Sequence, residues 1–262
     1  MTRQEFVATQ FPSLTGWIRR AAGAAAGSRV HELDGVVAQV STAIPDRSLF
    51  NSVTYSHAAA LRAALPELEA MYAEAGVRAW TVWVHESDTE AGALVRAAGH
   101  ALDSNPEGMG CALDELLAPD GLDELDYTER PTVNELQLVV AEGYGFPLEI
   151  VRRSLGDVPH GAETTVGVAY LHGRPACTAQ VTIAAEDAGV FSVATTPPAR
   201  GRGLAQRLQY LLLQRAREQG ARTTTLQASS MGRPVYLALG YGSFGAMNMW
   251  ERRQPAGGVQ AP

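Results

Sequence analysis

The chain of 262 residues contains no lysine: its 21 basic residues are all arginine, outnumbered by 28 aspartates and glutamates for a net charge of −7. That balance argues against nucleic acid as a partner, because gripping a phosphate backbone needs a basic surface. It is compatible with a cationic substrate. The lack of lysine also excludes the Gly-Lys-Ser/Thr loop of nucleoside-triphosphate enzymes, and no Gly-x-Gly-x-x-Gly with a following acidic residue marks a dinucleotide fold. Cysteine is scarce. Cys111 and Cys177 stand alone, outside any Cys-x-x-Cys pair, which speaks against a disulfide framework or a thiolate metal site. None of the six histidines is paired at i,i+4, so no metal is expected. No apolar run reaches membrane-spanning length; Arg19 and Arg20 follow rather than precede a mildly apolar stretch, and Ala21–Gly27 is too weakly hydrophobic for a secretory core. The expectation is a cytoplasmic protein with no membrane contact.

What is present is concentrated in Phe191-Ser-Val-Ala-Thr-Thr-Pro-Pro-Ala-Arg200-Gly-Arg-Gly-Leu-Ala205. Pro197 and Pro198 cannot continue a ladder, so a strand ends near Thr196. Every residue from Ala199 to Ala205 keeps its N–H. Gly201 and Gly203 remove side chains that would hold a phosphate away, and Arg200 and Arg202 add charge. Leu204, Leu208, Leu211, Leu212 and Ala216 follow helical spacing up to Gly220, and Ala221–Ala228 reads as a strand. A strand, glycine loop and helix N-terminus in this order suit a diphosphate.

Arg200, Gly203 and Ala205 fit Arg/Gln-x-x-Gly-x-Gly/Ala, and Ser229-Ser-Met-Gly-Arg-Pro-Val-Tyr236-Leu-Ala-Leu-Gly-Tyr241 follows at the matching distance. With these two elements, residues 125–253 resemble the GNAT superfamily of acetyl-coenzyme A-dependent N-acetyltransferases. The resemblance implies an α/β fold, an α+β mixed sheet of the acyl-CoA N-acyltransferase type, with acetyl-CoA as acyl donor. It places the carbonyl and pantetheine arm on the backbone of Val193, Ala194 and Thr195, the diphosphate on Arg200, Gly201, Arg202, Gly203, Leu204 and Ala205, and a further contact at Ser229. Ser229 stands where the family has Asn, and Gly232 where it has Ala. Tyr236 matches the family's acid, whose phenol can return a proton to the departing thiolate.

The residues themselves offer Glu142 as a base, beside the turn-rich insert Gly143-Tyr-Gly-Phe-Pro147, with Glu149 and His172 as weaker choices. No Gly-x-Ser-x-Gly elbow or supported Cys/His pair suggests an acyl-enzyme, so transfer is expected to be direct, to the primary amine of a small molecule or peptide. An acyl-CoA-binding sensor or scaffold without turnover, and transfer to a hydroxyl, stay open as alternatives. So does the choice between monomer and homodimer.

A weak internal repeat runs through the chain. Glu74–Val84 parallels Glu218–Leu226, and Leu94–His100 parallels Val235–Tyr241; strand-like segments containing methionine close both halves at 108–113 and 246–250. This predicts two copies of one fold, over residues 1–122 and 123–262, with a Pro/Gly/Ala-rich disordered tail from about 253. Where the second copy has its glycine loop the first has Val53–Ala60, without its glycines or arginines, so the first is expected to have lost cofactor binding and to complete the sheet or wall the substrate cleft. In the second copy, 132–141 and 148–155 read as helices and 165–171, 176–184 and 189–195 as antiparallel strands, with turns at 172–175 and 186–189.

Overall fold

Thr2 opens the first helix with a capping box: its hydroxyl accepts from the Glu5 amide while the Glu5 carboxylate reaches back to the Thr2 N–H. The computed structural model describes residues 2–156 and 163–254. The first half runs α1 (Arg3–Ala24), β1 (Ser28–Leu33), β2 (Val36–Ser41), β3 (Ser52–Tyr55), α2 (Ala58–Glu74), β4 (Ala79–His85), α3 (Thr89–Ala97), β5 (Ala101–Ser104) and β6 (Glu107–Ala112). The second runs β7 (Tyr127–Thr128), α4 (Val133–Tyr144), α5 (Leu148–Leu155), β8 (Thr164–Leu171), β9 (Arg174–Ala184), β10 (Asp187–Thr195), α6 (Leu204–Glu218), β11 (Thr223–Ala228), α7 (Arg233–Ala238) and β12 (Gly242–Arg253).

Among the described residues the strands form one mixed sheet in the order β1-β2-β3-β4-β12-β6-β11-β10-β9-β8-β7, with β5 pairing β12 beside that path. β3–β4 and β10–β11 are parallel, and the remaining pairs antiparallel. The mixed α/β sheet is thus the one expected. β4, Ala-Trp-Thr-Val-Trp-Val-His, is buried along its whole length, as befits a central strand covered on both faces. α6 lies close on β8 because position 167 is glycine: a Cβ there would stand 2.8 Å from Leu208 Cδ1.

The strands nearest the centre cross between the halves. The strand after α7, β12, pairs through Met247–Arg253 with β4 of the first half, and the strand after α3, β6, pairs with β11 of the second. Gly242–Ala246 of β12 and β6 also pair with each other, which makes the sheet continuous. Each exchanged strand carries its apolar residues into the other half's core. Trp250 packs with Val82 and Trp80, and Met109 and Cys111 pack with Leu226 and Tyr241.

α1 is a 22-residue helix that the sequence reading did not foresee. Leu14, Trp17 and Ile18 are buried against Phe191 of the second half and Trp83 of the first, and the Trp17 and Phe191 rings stack at 5.3 Å. Two turns also differ from expectation. α4 continues through Gly143 and Tyr144 and stops at Gly145, whose φ of 70° makes a left-handed cap, so the insert shrinks to 145–147. β10 begins at Asp187, its turn made by Ala185 at a φ of 54°. At the other end β12 persists to Arg253, and of the expected disordered tail residues 255–262 lie outside the described residues.

Candidate active site

The site begins where two parallel strands part. β10 and β11 are paired only from Asp187 opposite Thr223 to Gly189 opposite Thr225, which leaves the β11-facing edge of Val190–Thr195 without a strand partner. On its other side β10 slips register against β9 between Phe191 and Ala194, so Ser192 and Val193 together oppose Ala179. Ser192 accordingly takes a φ of 52°, left-handed backbone that costs a non-glycine residue about 1–3 kcal/mol. The Tyr144 hydroxyl donates to the Val193 carbonyl at 2.7 Å and holds the bulge from the α4 side. Gly143 permits this approach, since a Cβ there would stand 2.8 Å from Ala194 Cβ.

At the foot of the V the buried Asp187 carboxylate accepts from three hydroxyls, those of Ser13 on α1, Thr223 at 2.7 Å and Thr225 at 2.6 Å. Burial pushes its carboxyl above the usual range, and the three donors pull it back. One side chain therefore ties both arms of the V to the first half's helix.

Beyond β10, Pro197–Ala199 form a 3-10 turn, Gly201 and Gly203 take φ of 72° and 71°, and α6 starts with Gly203 as its N-cap. No side chain caps α6. Its first-turn N–H groups stand available to an anion, with the helix dipole behind them. The equivalent position in the first half is closed by its own chain. The His57 ring accepts from the Ala60 amide at the start of α2, and the β1–β2 turn lies over it, with the Gly35 carbonyl accepting from the Ser56 amide at 2.8 Å.

A cavity of ≈ 810 Å³ fills the V and runs along the loop. Val193–Thr195, Arg200–Ala205, Ser229 and Tyr236 all line it. The two loop arginines play different parts. Arg200 donates to the carbonyls of Thr195 (3.3 Å) and Gly143 (2.8 Å), fastening the loop to β10 and α4. Among the described residues the Arg202 guanidinium has no ion-pair or hydrogen-bond partner. Arg202→Ala should therefore weaken coenzyme A binding about tenfold, the loss shrinking at high salt, with little change in melting temperature, whereas Arg200→Ala should lower the melting temperature. Calorimetry at two ionic strengths, beside thermal denaturation, checks both.

Ser229 Oγ accepts from the Gly232 amide at 3.1 Å and so shapes the start of α7. Gly232 makes room for the ring of Tyr236: a Cβ there would lie 3.1 Å from Tyr236 Cε2. Tyr236 is 7% exposed, and its phenol ionises well above the ordinary value, first because of burial and secondly because of the nearby Tyr144 phenol.

A second cavity, of ≈ 270 Å³, adjoins the first. Tyr144, Val193, Gln227, Ser229 and Tyr236 line both. Its walls come from both halves: Leu14, Trp17, Leu49, Phe50, Trp83 and Pro106 from the first, and α4, α5 and β10 from the second. Glu142 is not brought to either cavity; it is exposed on α4. Glu149 pairs with Arg153 at 2.9 Å, and His172 sits in the β8–β9 turn at a φ of 52°. Sequence reasoning missed Gln227 and the first-half aromatics, whose alternation reads as ordinary core; Tyr144 was legible only as part of the insert.

No His/Cys/Asp/Glu cluster suited to a metal occurs among the described residues, and no helix there is long and apolar enough to cross a membrane. Residues 147–244 match the sequence profile of the acetyltransferase (GNAT) domain family. Comparison with curated proteins finds no sequence match. Among solved structures, a GCN5-related N-acetyltransferase from Kribbella flavida is similar at 16% identity and a TM-score of 0.67, over 95% of this chain and 96% of that one. A tandem GNAT protein from the clavulanic acid biosynthesis pathway is similar at 14% identity and 0.58, over 95% and 97%. A GCN5-related N-acetyltransferase from Sphaerobacter thermophilus gives 18% and 0.54, over 84% and 80%. Residues 147–244 thus match the GNAT acetyltransferase domain family, in a chain whose whole fold is similar to that of solved GNAT proteins, a tandem one included.

Proposed function

We propose that the protein transfers an acetyl group from acetyl-CoA directly to a primary amine of a small molecule or peptide. The observation that carries this reading is the convergence of the unpaired β10 edge, the uncapped start of α6 and the Tyr236 phenol on one cavity that opens into another. The residues fit the donor: the α6 amides and Arg202 suit a diphosphate, and the free edge of β10 suits an extended amide-bearing arm.

In this reading backbone N–H groups of Val193–Thr195 polarise the thioester carbonyl, and the amine attacks from the side of the smaller cavity. As the carbon–sulfur bond breaks, Tyr236 gives its proton to the thiolate and regains one from solvent. Among the described residues no Asp, Glu or His lines either cavity. The acceptor therefore arrives as the neutral amine and releases its proton to water after attack, and Glu142 takes no step. Calorimetry with acetyl-CoA followed by a thiol-release assay across primary amines tests the proposal. Absence of binding heat overturns it; binding without thiol release from any amine turns the reading to a sensor.

A further inference from the structure

The smaller cavity is unlike a site for a polar acceptor. Its first-half wall is Leu14, Trp17, Leu49, Phe50 and Trp83, and among the described residues no charged side chain lines it. Among the described residues its polar side chains are Ser154, Ser192 and the group where the two cavities meet, Tyr144, Gln227, Ser229 and Tyr236. Arg47 stacks on the Phe146 ring at 5.8 Å and is not among the lining residues. A carboxylate or second ammonium deep in such a cavity would lose its hydration with nothing to replace it, and charges are rarely buried on those terms. Ser154 spends its hydroxyl on the Val151 carbonyl at 3.1 Å, and the group shared by the two cavities lies on the side of the proposed thioester, so an acceptor would put its amine there and its body against the tryptophans and leucines. A cavity of about 150 Å³ lined by aliphatic and aromatic groups holds one benzene ring, so ≈ 270 Å³ suits a ring with a short chain.

We infer that the acceptor is a primary amine on an aromatic or branched apolar body, bearing neither a carboxylate nor a second positive charge, held in the cavity between the two halves. This rests on the proposed acetyl transfer and narrows its acceptor. Gln227, half-buried on β11 at the meeting point of the cavities, is the positioning residue for the amine nitrogen.

The test is thiol release at saturating acetyl-CoA with 2-phenylethylamine, isoamylamine, L-phenylalanine and spermidine, after calorimetry has established acetyl-CoA binding. Phenylethylamine and phenylalanine share a ring and differ by the carboxylate. The expected kcat/KM ratio is about 100-fold or more in favour of the first, with spermidine equally poor. In Leu49→Asp, at a half-buried wall position, phenylethylamine should lose at least about tenfold while spermidine gains. Comparable or better turnover of phenylalanine or spermidine overturns the inference and leaves acetyl transfer standing. So does a lower KM for octanoyl-CoA than for acetyl-CoA, which would make the cavity an acyl-chain pocket. Acetyl-CoA binding with no turnover of either apolar amine also overturns it, whereas no binding at all removes the proposed function itself.

Discussion

Tyr236→Phe is expected to lower kcat by about 10²–10³-fold while the acetyl-CoA dissociation constant stays within about threefold, because the phenol oxygen alone is removed from a buried ring. That ring is packed against Tyr241 at 5.8 Å and touches Gly232, so the variant keeps its apolar contacts and should fold. The pH profile separates this role from a structural one. Burial raises the ionisation of Tyr236 above its ordinary value, so the phenol stays protonated, and able to donate, up to at least about pH 10. The wild-type rate should then rise with pH as the acceptor ammonium deprotonates and show no falling limb below about pH 10. In Tyr236→Phe the rising limb should persist at a lower ceiling, since it belongs to the acceptor. Wild-type turnover in the variant would remove the acid role.

Cutting the chain between Asp120 and Gly121, in the exposed connection between the halves, should leave neither piece able to fold alone. Residues 1–120 would present β4 without β12, and residues 121–262 would present β11 without β6, each with an unpaired edge at the centre of its sheet. Trp250 and Met109 would at the same time be missing from the cores they fill. Each fragment by itself should aggregate or show no cooperative melting transition. The two produced together should recover a one-to-one complex with most of the uncut activity. A soluble, cooperatively unfolding fragment of either kind would show that the exchanged strands matter less than their position suggests.

What the sequence made legible was local. The Pro197–Pro198 break, the glycine loop and the leucine spacing of α6 are each set by residues a few positions apart, and they fall where the structure has them. α5 runs over the expected residues for the same reason. The exchanged strands were not legible, because β6 and β12 carry the same alternation whichever neighbour they pair with, and the choice depends on residues more than a hundred positions away. Glu142 shows another limit. It is adjacent in sequence to residues at the cavity, but α4 continues past it, and a helix turns about 100° per residue, so Ala141 and Glu142 point to different sides. The first half was expected to complete the sheet or wall a cleft, but the residues lining the smaller cavity were not legible, because hydrophobic residues on a core face look the same whether they meet another side chain or a void.

The His57 cap on α2 and the β1–β2 turn folded over it have a consequence for counting. A chain built from two copies of one fold would ordinarily take up two equivalents of a shared ligand. Here the first half has spent its own imidazole and backbone at the start of α2. Saturation is therefore expected at a single equivalent per polypeptide.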